Sequence, residues 1–291
     1  MKHWHSVIVL AASLLCAAGR VAAGQDAPPT ASGPKRDPQA SPPGWSETLK
    51  KTLDLELEGR QAEIVPIYEK WVADYPNFAG AHDMLAGAHE QLGRLALRSH
   101  APDAATTHFE MAAAEMRRSL ELTLRSEPLQ SSPLRGLIEL YGPLEFNRPA
   151  EYERLVGEAL ARYPADPFAH AFAITLLARK GEPIDGAVRA ARAAIPKTSP
   201  ARTELAGVLM GFVRDDAESV GVPVAAAALV VVNDAVTLDP TDIKALEQKA
   251  EILRTQARRA SEPERTKLFA EEARVRARVA ELRRRTDRIR S

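Results

Sequence analysis

Apolar residues recur every three or four positions along most of the chain after its first 44 residues, a spacing that places them on one face of an α-helix. Leu49 and Leu53 begin the pattern, and Gly59 is expected to end the first helix because glycine is favoured just past helix ends. A second apolar face follows and stops at the Tyr75-Pro76 pair, since proline cannot continue a helix. The spacing therefore predicts a helical hairpin.

The same periodicity continues to the end of the chain, whereas alternating runs of β-branched and aromatic residues are rare. Gly93 is expected to end the third helix, Asp103 to cap the fourth, and residues near 94–148 to form an insertion. The apolar run 225–232 predicts a helix buried by neighbours on both sides. The remaining helices are expected at 78–93, 103–126, 132–142, 152–163, 168–180, 185–195, from 199 to a polar break at 215–221, at 224–238, after a cap at Asp242, and at 264–290. This pattern predicts an all-α fold.

A short motif recurs along the chain. It consists of Tyr-Pro, an Ala-His pair that begins five residues after the proline, and a glycine eleven residues after the histidine. Its two copies, offset by 88 residues, are Tyr75-Pro76, Ala81-His82 and Gly93, and then Tyr163-Pro164, Ala169-His170 and Gly181. Gly59 also precedes Gly93 by 34 residues. A constant offset between a proline, a small-plus-aromatic pair and a glycine indicates a repeated helical hairpin.

The hairpin resembles a tetratricopeptide repeat, a helix–turn–helix unit of about 34 residues. The helix A positions hold His82, Leu85, Ala86 and His89 before Gly93, and the helix B positions hold Ile64, Tyr68 and Trp71 before Pro76. Weaker copies hold His170, Ala173, Leu177 and Gly181 after Tyr152, Val156, Ala159 and Pro164, and then Leu246 and Leu253 after Ala228, Val232, Ala235 and Pro240. The resemblance implies a right-handed solenoid of stacked antiparallel helix pairs over residues 45–262, closed by a long C-terminal helix.

The resemblance also implies a concave groove, lined by helix A positions between the core residues, that holds an extended peptide or a partner helix. In ordinary helical proteins the same positions are solvated faces, and this alternative stays open. The groove positions are Asp83, Gly87, Glu90 and Gln91 in the second hairpin, Ala171, Thr175 and Arg179 in a later one, and Glu247, Glu251 and Arg254 in the last.

The first 44 residues are predicted to lie outside the folded body. Residues 1–23 combine a basic start, an apolar run over 7–18 and small residues before Gly24, which is the pattern of a cleaved secretory signal. Residues 24–44 are rich in proline and are expected to form a disordered linker. The protein is therefore expected to be secreted or periplasmic after cleavage near Ala23. The lone Cys16 lies inside the leader, and Leu15 before it argues against a lipid anchor, although retention of the leader as an anchor stays open.

The C-terminal segment 263–291 is predicted to be an amphipathic basic helix. Its apolar stripe holds Leu268, Val275, Val279, Leu282 and Ile289. Its candidate binding residues are Arg274, Arg278, Arg284, Arg285 and Arg288. Such a helix can cap the last hairpin with its arginines in water, or it can form a coiled-coil seam or contact acidic partners and anionic head groups.

Little in the sequence suggests catalysis or a bound metal. His82 and His89 lie two helical turns apart, about 10.5 Å, which is too far for one zinc ion to bridge. Gly93 stands where a zinc-protease motif beginning at His89 would need its second histidine. Lys plus Arg and Asp plus Glu number 39 each, so no strong field favours nucleic acid. No cofactor is expected.

The sequence thus favours a non-catalytic scaffold of the bacterial cell envelope, a monomer or weak dimer that binds a protein or peptide partner in the groove. The alternative is a peripheral envelope protein that docks on anionic surfaces or on a coiled-coil partner through its basic helix. An enzyme with a site in the insertion, involving His100 or His108, is a third hypothesis.

Overall fold

A computed structural model describes residues 41–123, 129, 132–143, 145–216, 218 and 220–290. The predicted leader at 1–23 and most of the predicted linker at 24–44 lie outside these residues. Within the described part, the chain forms twelve α-helices and no strand, which confirms the all-α prediction. In chain order the helices are α1 (Trp45–Leu57), α2 (Val65–Asp74, after a 3₁₀ turn at Gln61–Glu63), α3 (Ala79–Arg98), α4 (Pro102–Leu122), α5 (Pro133–Tyr141), α6 (Pro149–Arg162), α7 (Pro167–Arg179), α8 (Asp185–Ala194), α9 (Ser199–Asp215), α10 (Gly221–Leu238), α11 (Ile243–Ala257) and α12 (Glu264–Arg290).

The helices fall into two compact units, an N-terminal unit with α1–α4 and a C-terminal unit with α5–α12. Aromatic rings build the core of the N-terminal unit. The Trp45 ring lies 5.0 Å from the rings of both Trp71 and Phe78, in edge-to-face geometry. Beside it, the hydroxyls of Thr52 and Tyr68 are hydrogen-bonded at 2.6 Å inside the core. These contacts attach α1 to α2 and to the start of α3.

Gly93 has a different role from the one predicted. α3 continues through it to Arg98, and the chain turns at Ser99–Ala101, where His100 adopts a left-handed φ of 57°. A Cβ atom at Gly93 would lie 2.4 Å from the ring of Phe109 on α4. The glycine therefore allows α3 and α4 to approach closely. The prediction that it ends the helix is wrong, and residues 94–98 extend α3.

The start of α4 also departs from the prediction. Asp103 does not cap it, because the N-cap position belongs to Ala101, whose side chain offers no acceptor, and Pro102 occupies the first turn. Proline is tolerated there because its missing N–H would have no partner inside the helix. The missing side-chain cap therefore costs less stability, because the proline leaves one N–H fewer without a partner.

In the C-terminal unit most helices contact a neighbour in sequence, and several also contact the helix two places on. Contacts join α5 to α6, α6 to α7, α7 to α8, α9 to α10, α10 to α11 and α11 to α12, and further contacts join α7 to α9, α8 to α10 and α9 to α11. Side-chain oxygens of Ser132, Asp166, Thr198 and Asp242 accept N–H groups of the first turns of α5, α7, α9 and α11. The predicted cap at Asp242 is confirmed.

The recurring sequence motif builds a recurring turn. Tyr75 and Tyr163 end their helices with nearly the same backbone angles, φ −135°, ψ 64° and φ −130°, ψ 61°, and each N–H donates at 2.8 Å to the carbonyl four residues earlier. The Nε2 atom of His82 donates to the carbonyl of Pro76 at 3.0 Å, and that of His170 to the carbonyl of Pro164 at 2.8 Å. The two histidines thus connect the start of one helix to the end of the preceding turn in the same way.

A third copy of this turn follows α10. Asp239 takes the place of tyrosine before Pro240, and its N–H donates at 3.0 Å to Ala235. Ala245 is buried at the position of the two motif alanines, but Leu246 replaces the histidine. The carbonyl of Pro240 therefore has no imidazole donor of this kind.

The run 225–232 of α10 is apolar around the whole circumference of the helix. The 18 residues of α10 have a mean hydropathy of 1.8, so by length and composition it could cross a membrane, and 44% of it is buried inside the fold. It contacts α7, α8, α9 and α11. Its contacts with α9 and α11 agree with the predicted burial by both neighbours, while Val222, Val230 and Leu238 remain exposed.

α12 covers α11 with its apolar stripe. Val275, Val279 and Leu282 are buried against Leu246 and Leu253 of α11. This arrangement corresponds to the capping alternative. It leaves the stripe occupied within the chain rather than available as a coiled-coil seam.

Candidate functional site

The groove positions predicted in the N-terminal unit share one helix, α3. Asp83, Gly87, Glu90 and Gln91 are all half-buried there. Glu90 forms an ion pair with Arg94 one turn later. Two carboxylates, an amide and an open glycine position therefore lie along one partly accessible surface, which we call the α3 surface.

Two groove positions predicted on α7 are wrong. Thr175 and Ala171 are completely buried, because neighbouring helices contact α7 on several sides. The hydroxyl of Thr175 has no hydrogen-bond partner there. Neither residue can contact a partner from solution.

Arg179, the third groove position on α7, joins three segments of the C-terminal unit. Its Nε donates to Asp216 after α9 at 3.0 Å, and its Nη1 donates to the hydroxyl of Tyr152 on α6 at 3.2 Å. Burial raises the pKa of Tyr152 to about 12, although the Arg179 charge opposes this shift. Arg179 therefore has a structural role in this conformation.

The groove positions on α11 are exposed, but each pairs with a neighbouring helix. Glu251 accepts from Arg214 of α9 at 3.1 Å, and Glu247 pairs with Arg283 of α12. Arg254 donates through Nε to Glu272 of α12 at 3.0 Å. Exposed pairs of this kind contribute at most about 1 kcal/mol each. Their main effect here is that the charges of these groove positions are balanced by residues of the chain itself, and not by a partner as the groove prediction requires.

The candidate arginines of α12 are also partly balanced within the helix. Arg278 and Arg285 both donate to Glu281, at 2.7 Å in the first case, and these arginines lower the pKa of that carboxyl. Arg274 donates to a backbone carbonyl one turn earlier. The side chains of Arg274, Arg284, Arg285 and Arg288 are exposed. A basic exposed face therefore remains beside the buried stripe.

Polar side chains also pair within the α3–α4 hairpin. His82 Nδ1 lies 2.6 Å from Glu115 Oε2, and His89 Nδ1 lies 3.3 Å from Nδ1 of His108, with the two rings stacked. Burial, and then the nearby His108, lower the pKa of His89, which favours a neutral ring. In the part of the chain that the structure describes, no three metal-ligating side chains lie close enough to hold an ion. Sequence spacing did not indicate the His89–His108 contact, because it depends on the register of the hairpin.

A basic cleft that the sequence did not indicate lies in the C-terminal unit between α8, α9 and α10. Its volume is about 390 Å³, and it is lined by Arg192, Ala193, Lys197, Arg202, Asp234, Thr237 and Leu238. Arg192 donates to both carboxylate oxygens of Asp234, through Nε at 2.5 Å and Nη2 at 2.8 Å. Such two-point pairing fixes both side chains in place.

Arg202 is the unusual residue of this cleft, since only 4% of its surface is exposed. Its Nη2 donates to the carbonyl of Arg192, whereas Nε and Nη1 are buried and have no partner. Burial, and the nearby Arg192, lower its pKa, while Asp234 opposes the shift. One sequence signal could have identified it, because Arg202 lies in phase with the buried Leu205 and Leu209 of α9.

Comparison with protein families and curated proteins identified no relative of this chain. No protein-family model matches the chain, and no curated protein matches it significantly.

Proposed function

We propose that the protein is a non-catalytic helical-repeat scaffold of the tetratricopeptide type that binds a protein or peptide partner. The observation that supports this proposal is the repeated Tyr-Pro turn, whose backbone angles and histidine hydrogen bond recur 88 residues apart. Turns of nearly the same geometry favour hairpins of the same geometry, and repetition of one hairpin geometry is what builds a solenoid.

The contacts of the C-terminal unit fit the same proposal. α7, α9 and α11 contact one another in order, and α8 contacts α10. Stacked hairpins produce this alternation, because each helix then meets its partner and the equivalent helix of the next hairpin. A right-handed stack of antiparallel pairs over residues 45–262 is therefore the architecture we propose.

We place partner binding on the α3 surface. Thr175 is buried, and Arg179, Glu251 and Arg254 pair with other segments of the C-terminal unit, whereas the ion pair of Glu90 with Arg94 lies within α3 and leaves its groove positions partly accessible. Its carboxylates favour a partner segment that carries basic residues.

The test is crosslinking and affinity capture with the protein from its own envelope fraction. Asp83→Lys should reduce recovery of the partner, because it reverses one of the two negative charges of the surface. Glu110→Lys makes the same reversal on exposed α4 and should leave recovery unchanged. Equal recovery of the partner by both variants would refute the proposal that the α3 surface binds it.

The alternative function, docking on anionic surfaces, is favoured by the exposed arginines of α12. Deleting α12 is a poor test, because it would uncover the apolar contacts of α11. Arg284→Glu combined with Arg288→Glu leaves the stripe intact. Cosedimentation with vesicles containing anionic lipid should fall for this double variant if α12 is the anchor, and unchanged sedimentation would refute that role.

Export by the leader predicted at 1–23 belongs to the same proposal. Fractionation of cells that express the full chain, beside a chain lacking residues 2–23, is the measurement that checks it. Retention of both chains in the cytoplasm would contradict a secreted or periplasmic location.

A further inference from the structure

The basic cleft brings together residues from three helices and one loop. Arg192 lies near the end of α8, Lys197 lies in the following loop, Arg202 lies in the first turn of α9, and Asp234 lies on α10. The side of the cleft formed by α10 adds the apolar Leu238 and the hydroxyl-bearing Thr237.

The charges of the cleft do not balance. Both oxygens of Asp234 are engaged by Arg192, so this pair is internally neutral. Among the residues that the structure describes, the exposed Lys197 makes no ion pair and the guanidinium of Arg202 has no carboxylate within hydrogen-bonding distance. Two positive charges are therefore left without a balancing carboxylate in direct contact.

The buried guanidinium is the stronger indication. A buried hydrogen-bond donor without a partner is destabilising, and more so when the group is charged. Arg202 leaves two such nitrogens unpaired while it contributes to the wall of an open cleft of about 390 Å³. A charge held away from water is poorly screened, so it attracts an anion in the cleft more strongly than an exposed arginine would.

From this combination we infer that the cleft between α8, α9 and α10 is a binding site for an oxyanion, either a phosphate or a carboxylate group. Arg202 supplies the poorly screened charge, Lys197 contacts the anion from the rim, and Arg192 is oriented by Asp234 to face it. Planar guanidinium groups suit both phosphate and carboxylate oxygens. The anion can be a free ion or a group on a larger ligand.

The test is isothermal titration of the full chain with two probes, inorganic phosphate and a tri-glutamate peptide, at constant ionic strength. Direct binding is measured because phosphate also stabilises folded proteins through exclusion from their surfaces. We expect saturable binding of at least one probe with one site per chain. Binding of phosphate alone assigns a phosphate group, and binding of the peptide alone assigns a carboxylate.

Two variants and one control decide whether this cleft is responsible. Lys197→Glu should weaken binding about tenfold or more, since it reverses an exposed charge at the rim. Arg202→Met removes the unpaired guanidinium but keeps an unbranched, apolar side chain in its place, and should abolish binding. Lys50→Glu makes the Lys197 change at an exposed position of the N-terminal unit and should bind as the unchanged chain does.

Three results would overturn the inference. One is the absence of saturable binding of either probe by the unchanged chain. Another is binding by Lys197→Glu as tight as that of the Lys50→Glu control. The third is full binding by a folded Arg202→Met chain. If Arg202→Met does not fold, the comparison of the two lysine variants still decides the question.

Discussion

Two glycines of α3 should respond in opposite ways to the same substitution. A Cβ atom at Gly87 would meet no atom within 4 Å, whereas a Cβ atom at Gly93 would lie 2.4 and 2.6 Å from two carbons of the Phe109 ring. Both glycines lie in the interior of one helix, so each substitution by alanine changes helix propensity by the same amount. Any difference between them reports the contact between α3 and α4.

The expected magnitudes follow from these distances. Gly87→Ala should raise the free energy of unfolding by about 0.8–1.0 kcal/mol, the difference in helix propensity. At Gly93 the same gain is opposed by overlap with a buried ring, and overpacking costs about 1–3 kcal/mol. Two carbons lie about 1 Å inside the normal contact distance of roughly 3.5 Å, which favours the upper half of that range. Gly93→Ala should therefore be destabilising by about 1–2 kcal/mol.

Tryptophan fluorescence suits the measurement because of where the tryptophans lie. The chain has three, at positions 4, 45 and 71, so a chain that begins at Gly24 carries both of its tryptophans in the N-terminal unit. Trp45 and Trp71 contact each other in the core, and their emission should change when this unit unfolds. Urea titrations would then report the unit that contains both glycines.

A double-mutant cycle provides the decisive control. Phe109→Leu removes the ring that the new methyl group would meet, so Gly93→Ala should lose most of its cost in that background. An equal cost with phenylalanine and with leucine at position 109 would refute the packing explanation. A destabilised Gly87→Ala would contradict the stabilisation expected from helix propensity at a position where a Cβ atom has room.

Three further outcomes are expected. Thr52→Val should lower the free energy of unfolding by about 1–3 kcal/mol, since it leaves the buried hydroxyl of Tyr68 without a partner; urea titration checks this, with Thr48→Val on the exposed face as control. Burial and His108 lower the pKa of His89, so the unfolded chain takes up a proton at this residue more readily than the folded chain. The free energy of unfolding should therefore fall as the pH drops below about 6.5, and His89 should cause no change above that pH. Unfolding at a series of pH values should show this slope, and His89→Phe should lose it. Glu272→Gln should destabilise the attachment of α12, as its carboxylate is only 8% exposed and accepts from two arginines, and hydrogen exchange in α12 would report it.

The sequence predicted the helices well because their apolar periodicity is a local signal. The start of α5 at Ser132 and the helix ends at Tyr75 and Tyr163 came from capping residues and prolines that act within a few positions. The family resemblance, the leader and the partner remain predictions.

Features that depend on contacts between helices could not be predicted in this way. Gly93 resembles a helix stop in sequence, and only the neighbouring ring of Phe109 explains why a glycine is needed inside α3. Thr175 occupies a groove position by spacing, yet neighbouring helices bury it. The cleft around Arg202 likewise joins residues separated by up to about forty positions, a distance over which periodicity carries no information.

Asp234 affects the behaviour of the unfolded chain as well as that of the folded protein. If the leader predicted at 1–23 exports the chain, the export channel meets α10 as an unfolded apolar segment, before Arg192 has paired with the carboxylate. An aspartate at the centre of such a segment opposes entry into the lipid by about 2.5–3.5 kcal/mol, and Asp234, the fourteenth of the 18 residues, should exert a smaller part of that effect. For a chain exported by the leader predicted at 1–23, replacing Asp234 by leucine would bring a segment of mean hydropathy 1.8 closer to lodging in the membrane during translocation. One carboxylate would then form an ion pair in the folded protein and also help the unfolded chain to pass through the export channel.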